Sequence, residues 1–324
     1  MALKTVALPT EHGGWGLLLE PLVVGVAAAP SGAGFAVAGA ALAAFLMRHP
    51  LKLVASDIIA RRRTPRTARA LAFAVGYAAA GLLCLTAAVR LSGASLLLPA
   101  VIVAPLALTQ LGFDVRNRSR GLVPEICGSL ALAASAACIG LAAGWPPAPA
   151  ATLSAVTAAR TLPAVLTVRA QVLRLRGADA SPVSPSVAQA AALVAVAALA
   201  VVDAVPVRLV WIWAALTARG LWSLHGRVRH VRPQRIGIEE LLVGLMVALV
   251  SGLLLSGHQA RISAATISTT AARPARGYAV APAASMVNTV TTNARGPIGH
   301  SNPSTMRSRS RSSVNRRPTS APTR

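Results

Sequence analysis

Residues 9–21 read PTEHGGWGLLLEP, and the fold follows from how this stretch is solvated. Glu11 and His12 stand at the mouth of an apolar run, beside Gly13, Gly14, Trp15 and Gly16. Glu20 lies deeper in the same run, next to Pro21. In lipid a buried carboxylate is costly, and such groups sit at functional positions by default. The glycines strip side chains from the first helical turns at roughly 1 kcal/mol each relative to alanine. Close approach by another backbone or by a ligand would justify that cost.

The rest of the chain supports lipid as the solvent. Its 324 residues are 54% hydrophobic and 13% charged, about half of the roughly 25% charged content of a soluble domain. Windows of about 18 residues with few or no charges recur, as transmembrane helices require. The first residues hold a single cation, Lys4, and acidic Glu11 precedes the apolar part, which argues against a secretory signal. The pattern predicts an all-α polytopic membrane bundle of about nine helices, near 14–29, 33–47, 69–89, 93–112, 122–143, 149–168, 186–204, 206–223 and 238–257. Alanine, glycine and leucine dominate these segments, and small residues let helices pack closely in lipid. Cys84, Cys127 and Cys138 fall inside apolar runs without CxxC spacing and read as small core residues.

The loops carry an orientation. With the N-terminus labelled inside, the inner side collects 20 Lys and Arg residues from Lys4 to Arg235, and the outer side only Arg90 and Arg208. That is the bias of the positive-inside rule, and it predicts a cytoplasmic N-terminus in a bacterial inner membrane. Residues 1–258 form the expected transmembrane domain. Residues 259–324 are rich in Ser, Thr, Pro and Arg, hold no acid, and bury too little apolar surface to offset ordering, so they read as a disordered tail. An Arg-rich tail suits nucleic acid or anionic lipid, or else is an extension without function. Nothing in the membrane body signals nucleic-acid readout.

Glu11, Asp57, Asp114, Glu125, Asp179, Glu239 and Glu240 gather on the inner side of this topology, together with His12 and His49. Each has a bland explanation. Glu125, Glu239 and Glu240 open helices and complement the dipole. Asp57 and Asp114 neighbour Arg61 and Arg116, as solvated ion pairs would. Arg160 sits mid-segment, where a buried arginine faces a polar cavity or a partner such as Glu20. Arg160, Arg169 and the arginines of residues 116–120 are suited to hold an anion jointly. The candidate site is therefore Glu11, His12 and Glu20 as reactive groups, with His49, Asp57, Arg116, Arg160 and Arg169 as binding groups. No HExxH, CxxC or HxH spacing supports a metal, no motif names a cofactor, and P-loop and dinucleotide patterns are absent.

Five stretches resemble the YwiC-like integral membrane proteins of bacteria. They are PTEHGGWGLLLEPLVVGV from residue 9, RHPLKL from 48, GFDVRNRSRGLVPEICGSLALA from 112, RTLPAVLTVRAQVLRLRG from 160 and RIGIEELLVGL from 235. The resemblance spans about residues 7–257 and implies architecture more than activity. A more distant similarity is to UbiA-type intramembrane prenyltransferases, which implies nine helices and an inner-face site on the stretches after helices two and six. Here those are residues 49–63 and 169–177. That family carries aspartate-rich motifs for magnesium diphosphate, where this sequence has Asp57 alone and no acid before Asp179. The expected function is binding, with or without transfer, of an isoprenoid or lipid phosphate at an inner polar cavity. A small-solute transporter and a non-catalytic membrane component are the alternatives.

Overall fold

The computed structural model describes residue 7 and residues 12–61, 64–116, 118, 121–225 and 232–271. Those residues form nine α-helices and one short 3₁₀ turn, with no strand among them. In chain order the helices are α1 (His12–Ala28), α2 (Gly32–Ile59), α3 (Pro65–Ser92), α4 (Leu98–Val115), α5 (Leu122–Ala142), α6 (Pro147–Leu175), α7 (Val183–Val201), α8 (Arg208–His225) and α9 (Pro233–Ala271). Each of the nine expected segments coincides with one of them. Seven are long and apolar enough to cross a bilayer; α1 is shorter, and α8 is not among the seven. Arg208 opens α8 and Arg219 interrupts its apolar run.

Several helices overrun the expected limits. The stretch after the second segment, expected as a loop from residue 49, is helical to Ile59 and passes through Pro50. Likewise α6 continues through Arg169 to Leu175. α9 runs past the expected domain boundary at 258 as far as Ala271, and residues 272–324 lie outside the described residues. Hydropathy marks the lipid-soluble part of a helix, whereas a hydrogen-bonded ladder carries on into water. At 39 residues, α9 is about 58 Å long against a hydrocarbon core of about 30 Å.

Local chemistry sets the breaks. The Ser31 hydroxyl accepts from the Gly34 N–H at 2.9 Å and starts α2 after the Pro30-Ser31 break. Thr64 and Thr67 cap α3 reciprocally, and the Thr67 hydroxyl donates to Asp57 Oδ2 at 2.6 Å, tying the end of α2 to the start of α3. Pro163 inside α6 removes the N–H that would serve the Ala159 carbonyl. The buried Trp213 indole of α8 donates to that carbonyl instead, at 3.3 Å.

Two apolar clusters hold the bundle. One joins Val24, Leu153, Val156, Val196, Leu209, Trp213 and Leu255, and the other joins Leu18, Phe45, Leu96 and Ile139. Cys127 and Cys138 are buried and Cys84 is half-buried, all as thiols. Large apolar side chains such as Leu83, Ile102, Val194 and Trp222 point outward, as a lipid-facing surface demands. α1 and α9 lie side by side in the same direction. A Cβ on Gly16 would meet Leu241, one on Gly244 would fall on the Glu20 carboxylate, and one on Gly252 would lie 2.8 Å from the Val24 carbonyl.

Candidate functional site

A cavity of about 430 Å³ opens where the N-terminal ends of α1, α5 and α9 meet the C-terminal halves of α2, α4 and α6. Alternating helix direction brings these ends to one face of the bundle. From α6 the wall takes Thr161, Ala164, Val165, Val168, Arg169, Val172, Leu173 and Arg176, a stripe at helical spacing. Leu17, Phe45, Leu132 and Leu241 add apolar surface, and Glu20, Arg48, Gln110, Glu125 and Glu240 add polar groups.

The glycines of the opening stretch have a packing role. A Cβ on Gly14 would lie 3.2 Å from Phe45 Cζ, and one on Gly16 would lie 3.6 Å from Leu241. Gly14 thus admits Phe45 of α2 close to α1, whereas a side chain of alanine size at Gly16 would sit in ordinary contact with Leu241. Trp15 packs edge-on against Phe45 with centroids 5.4 Å apart, so it is part of the bundle and not simply an interfacial anchor.

At the cavity floor one guanidinium stands between two acids. Arg160 Nη2 donates to Glu240 Oε1 at 2.8 Å and lies 3.9 Å from Glu20 Oε1. Arg219 Nη1 donates to the other oxygen, Glu240 Oε2, at 2.8 Å. Glu20 and Arg160 are 5% and 7% exposed, so water screens this pair little. Gly244 leaves room for the Glu20 carboxylate at the α1–α9 contact. Beneath it is a void of about 10 Å³, lined by Glu20, Arg160, Ser251 and apolar residues. Glu20 Oε2, Arg160 Nε and Ser251 Oγ are buried there without a hydrogen-bond partner.

Two further ion pairs stand on the walls. Arg169 Nη1 donates to Glu125 Oε2 at 3.2 Å. Arg48 grips Asp114 with two nitrogens, Nη2 reaching Oδ1 at 2.9 Å and Nε reaching Oδ2. With its amide oriented to match, the Gln110 carbonyl accepts from Arg48 at 3.1 Å. Gly128 leaves the room that Gln110 occupies.

Of the residues expected from sequence, Glu20 and Arg169 line the cavity, and Arg160 reaches it through Glu240. The expected partner of Arg160, Glu20, stands within ion-pair distance at 3.9 Å, and Glu240 takes the hydrogen bond besides. Three others lie elsewhere. Asp57 takes the Thr67 hydroxyl at the α2–α3 junction, Arg116 bonds the Gly112 carbonyl of its own helix at 3.3 Å, and His49 is half-buried on α2 outside the lining. Asp57 is held at the cap, Arg116 lies past the end of its helix, and His49 stands one residue off the lining Arg48. Glu11 lies outside the described residues, as does the His12 side chain. Arg48, Gln110, Arg176 and Glu240 are lining residues the sequence reading did not select. The usable signal was glycine: Gly128 and Gly244 are holes cut for Gln110 and Glu20. Among the described residues no three His, Cys, Asp or Glu side chains converge as a metal's donor set.

The comparison with known protein families reaches over the first five helices. Residues 8–140 match the YwiC-like protein family. No curated protein and no solved structure matches the chain. The YwiC-like stretch supplies Glu20, Arg48, Gln110 and Glu125 to the cavity, while Arg160, Arg169, Arg176 and Glu240 come from helices beyond it.

Proposed function

We propose that this multi-pass YwiC-like membrane protein binds an amphiphilic anion, an isoprenoid or lipid phosphate, in the cavity at one end of its bundle. The observation that carries the reading is one cavity lined by both kinds of group such a molecule needs. Arg169 and Arg176 line it together with Leu17, Phe45, Leu132 and Leu173. Planar guanidinium forks match phosphate oxygens, and the apolar side chains suit a hydrocarbon tail. Glu20, deep in an apolar helix, is the kind of intramembrane acid that marks a ligand path. The preference of Lys and Arg for the loops at this end supports a cytoplasm-facing mouth, with the N-terminus inside a bacterial inner membrane.

The test is mass spectrometry of lipids retained by the full chain purified in mild detergent. A phosphate-bearing amphiphile is expected with the unsubstituted chain and is expected to be lost from Arg169→Ala and Arg160→Ala, with membrane expression retained. The same phosphate lipid held equally by all three proteins would remove the cavity as its site. In any assay of the bound molecule's turnover, Glu11→Gln and Arg160→Ala are each expected to abolish activity.

A further inference from the structure

Resting on that reading, we infer that the cavity takes its anion together with a proton, and that Glu20 is the group that binds the proton. Glu20 lines two spaces at once, the cavity on one side and the void of about 10 Å³ on the other. Other carboxylates in and around the cavity are held by donors. Glu240 accepts from Arg160 on one oxygen and from Arg219 on the other, each at 2.8 Å. Asp114 is gripped by Arg48, and Glu125 accepts from Arg169. Glu20 is placed differently. Its Oε1 stands 3.9 Å from Arg160 Nη2, beyond hydrogen-bond reach, and its Oε2 is buried with no hydrogen-bond partner among the described residues. Ser251 Oγ, on the same void, is likewise buried and unpartnered. Among the described residues, the charged groups nearest Glu20 are Arg160 of α6 and Glu240 of α9, with Arg219 of α8 behind Glu240. Arg48 of α2, Glu125 of α5, and Arg169 and Arg176 of α6 line the same cavity.

An anionic head group brings a further negative charge to this buried cluster. A like charge at short range disfavours the ionised form of a carboxylate. Protonating Glu240, Asp114 or Glu125 would weaken a charge-assisted hydrogen bond that an arginine already makes to it. Protonating Glu20 costs no such bond. The proton comes from bulk water, forms an O–H on the Glu20 carboxylate and leaves the side chain neutral. That O–H can donate to Ser251 Oγ, or to a water in the void. Arg160 then answers Glu240 and the anion without the charge of Glu20 beside it.

Titration calorimetry of the full chain in detergent tests this with dihexanoyl phosphatidylglycerol, a soluble phosphodiester whose own charge stays constant near neutral pH. Run in two buffers of different ionisation enthalpy, it is expected to show about one proton taken up per molecule bound. The state that holds more protons gains as pH falls, so affinity is expected to weaken by up to about tenfold per pH unit as pH rises. Glu20→Gln keeps the side-chain shape at Gly244 and cannot titrate; it is expected to bind without proton uptake and with one affinity at every pH. Infrared difference spectra of the unsubstituted chain, bound minus free, are expected to gain a protonated-carboxyl band. Absence of that band overturns the inference whether or not Glu20→Gln folds. Binding without proton uptake, or uptake that persists in Glu20→Gln, overturns it too and leaves the anion cavity standing. Absence of binding overturns the cavity reading as well.

Discussion

Arg160 joins three helices through one buried cation. It is buried on α6, meets Glu240 of α9, and faces Glu20 of α1, so three helices depend on one cation. Breaking a buried pair by removing one partner strands the other charge. Arg160→Met is expected to lower stability by on the order of 3 kcal/mol in detergent unfolding. Adding Glu20→Gln and Glu240→Gln to it is expected to restore part of the loss, because the stranded charges go too; a triple variant no more stable than Arg160→Met would contradict the electrostatic account. The void below the pair has room for about one water, and a buried water needs two to four polar partners. Arg160 Nε can donate to it, Glu20 Oε2 can accept from it, and Ser251 Oγ can do either. A map of the full chain at water-resolving resolution is expected to show density within hydrogen-bond distance of all three. An empty void would mean those groups are stranded in fact.

At the scale of the element, α9 shows how glycine serves two purposes in one helix. Gly244 and Gly252 face α1 and leave room for the Glu20 carboxylate and the Val24 carbonyl, whereas nothing lies near Gly257. Gly252→Ala must therefore push α1 and α9 apart, at a cost on the order of 2 kcal/mol, as overpacked cores show. Gly257→Ala meets no neighbour and is expected to raise stability by up to about 1 kcal/mol through helix propensity. The two variants, compared by thermal unfolding in detergent, should move in opposite directions. Movement in the same direction would remove the close-packing reading of the α1–α9 contact. Glycine's meaning at this scale is set by its neighbour and not by its count.

For the whole molecule, the alternation of nine helices places the ends of α1, α5 and α9 with those of α2, α4 and α6. This arrangement puts Arg61 and Thr64, between α2 and α3, at the same face as Arg232, ahead of α9. Reporter fusions at those two points are expected to report one side of the membrane, and a fusion after residue 271 the other. Opposite signals from residues 61 and 232 would break the alternation. The cavity would then no longer face a single compartment.

Hydropathy and the placement of arginine made the helical segments, their number and the polar end of the bundle legible in the sequence. Both follow from solvation, which each residue meets where it stands: an apolar run of sufficient length must be helical in lipid, and charges collect where water is. Of the pairings, only Arg160 facing Glu20 was legible. Arg160 and Glu240 are 80 positions apart and Arg48 and Asp114 are 66, and hydropathy says nothing about which acid answers which arginine. That choice belongs to helix packing, because an ion pair needs a distance of a few ångströms that only the assembled bundle supplies. Asp57 is taken by the Thr67 hydroxyl and Arg116 by a carbonyl of its own helix end, both outside the cavity lining, while the Glu20 carboxylate occupies the space at Gly244.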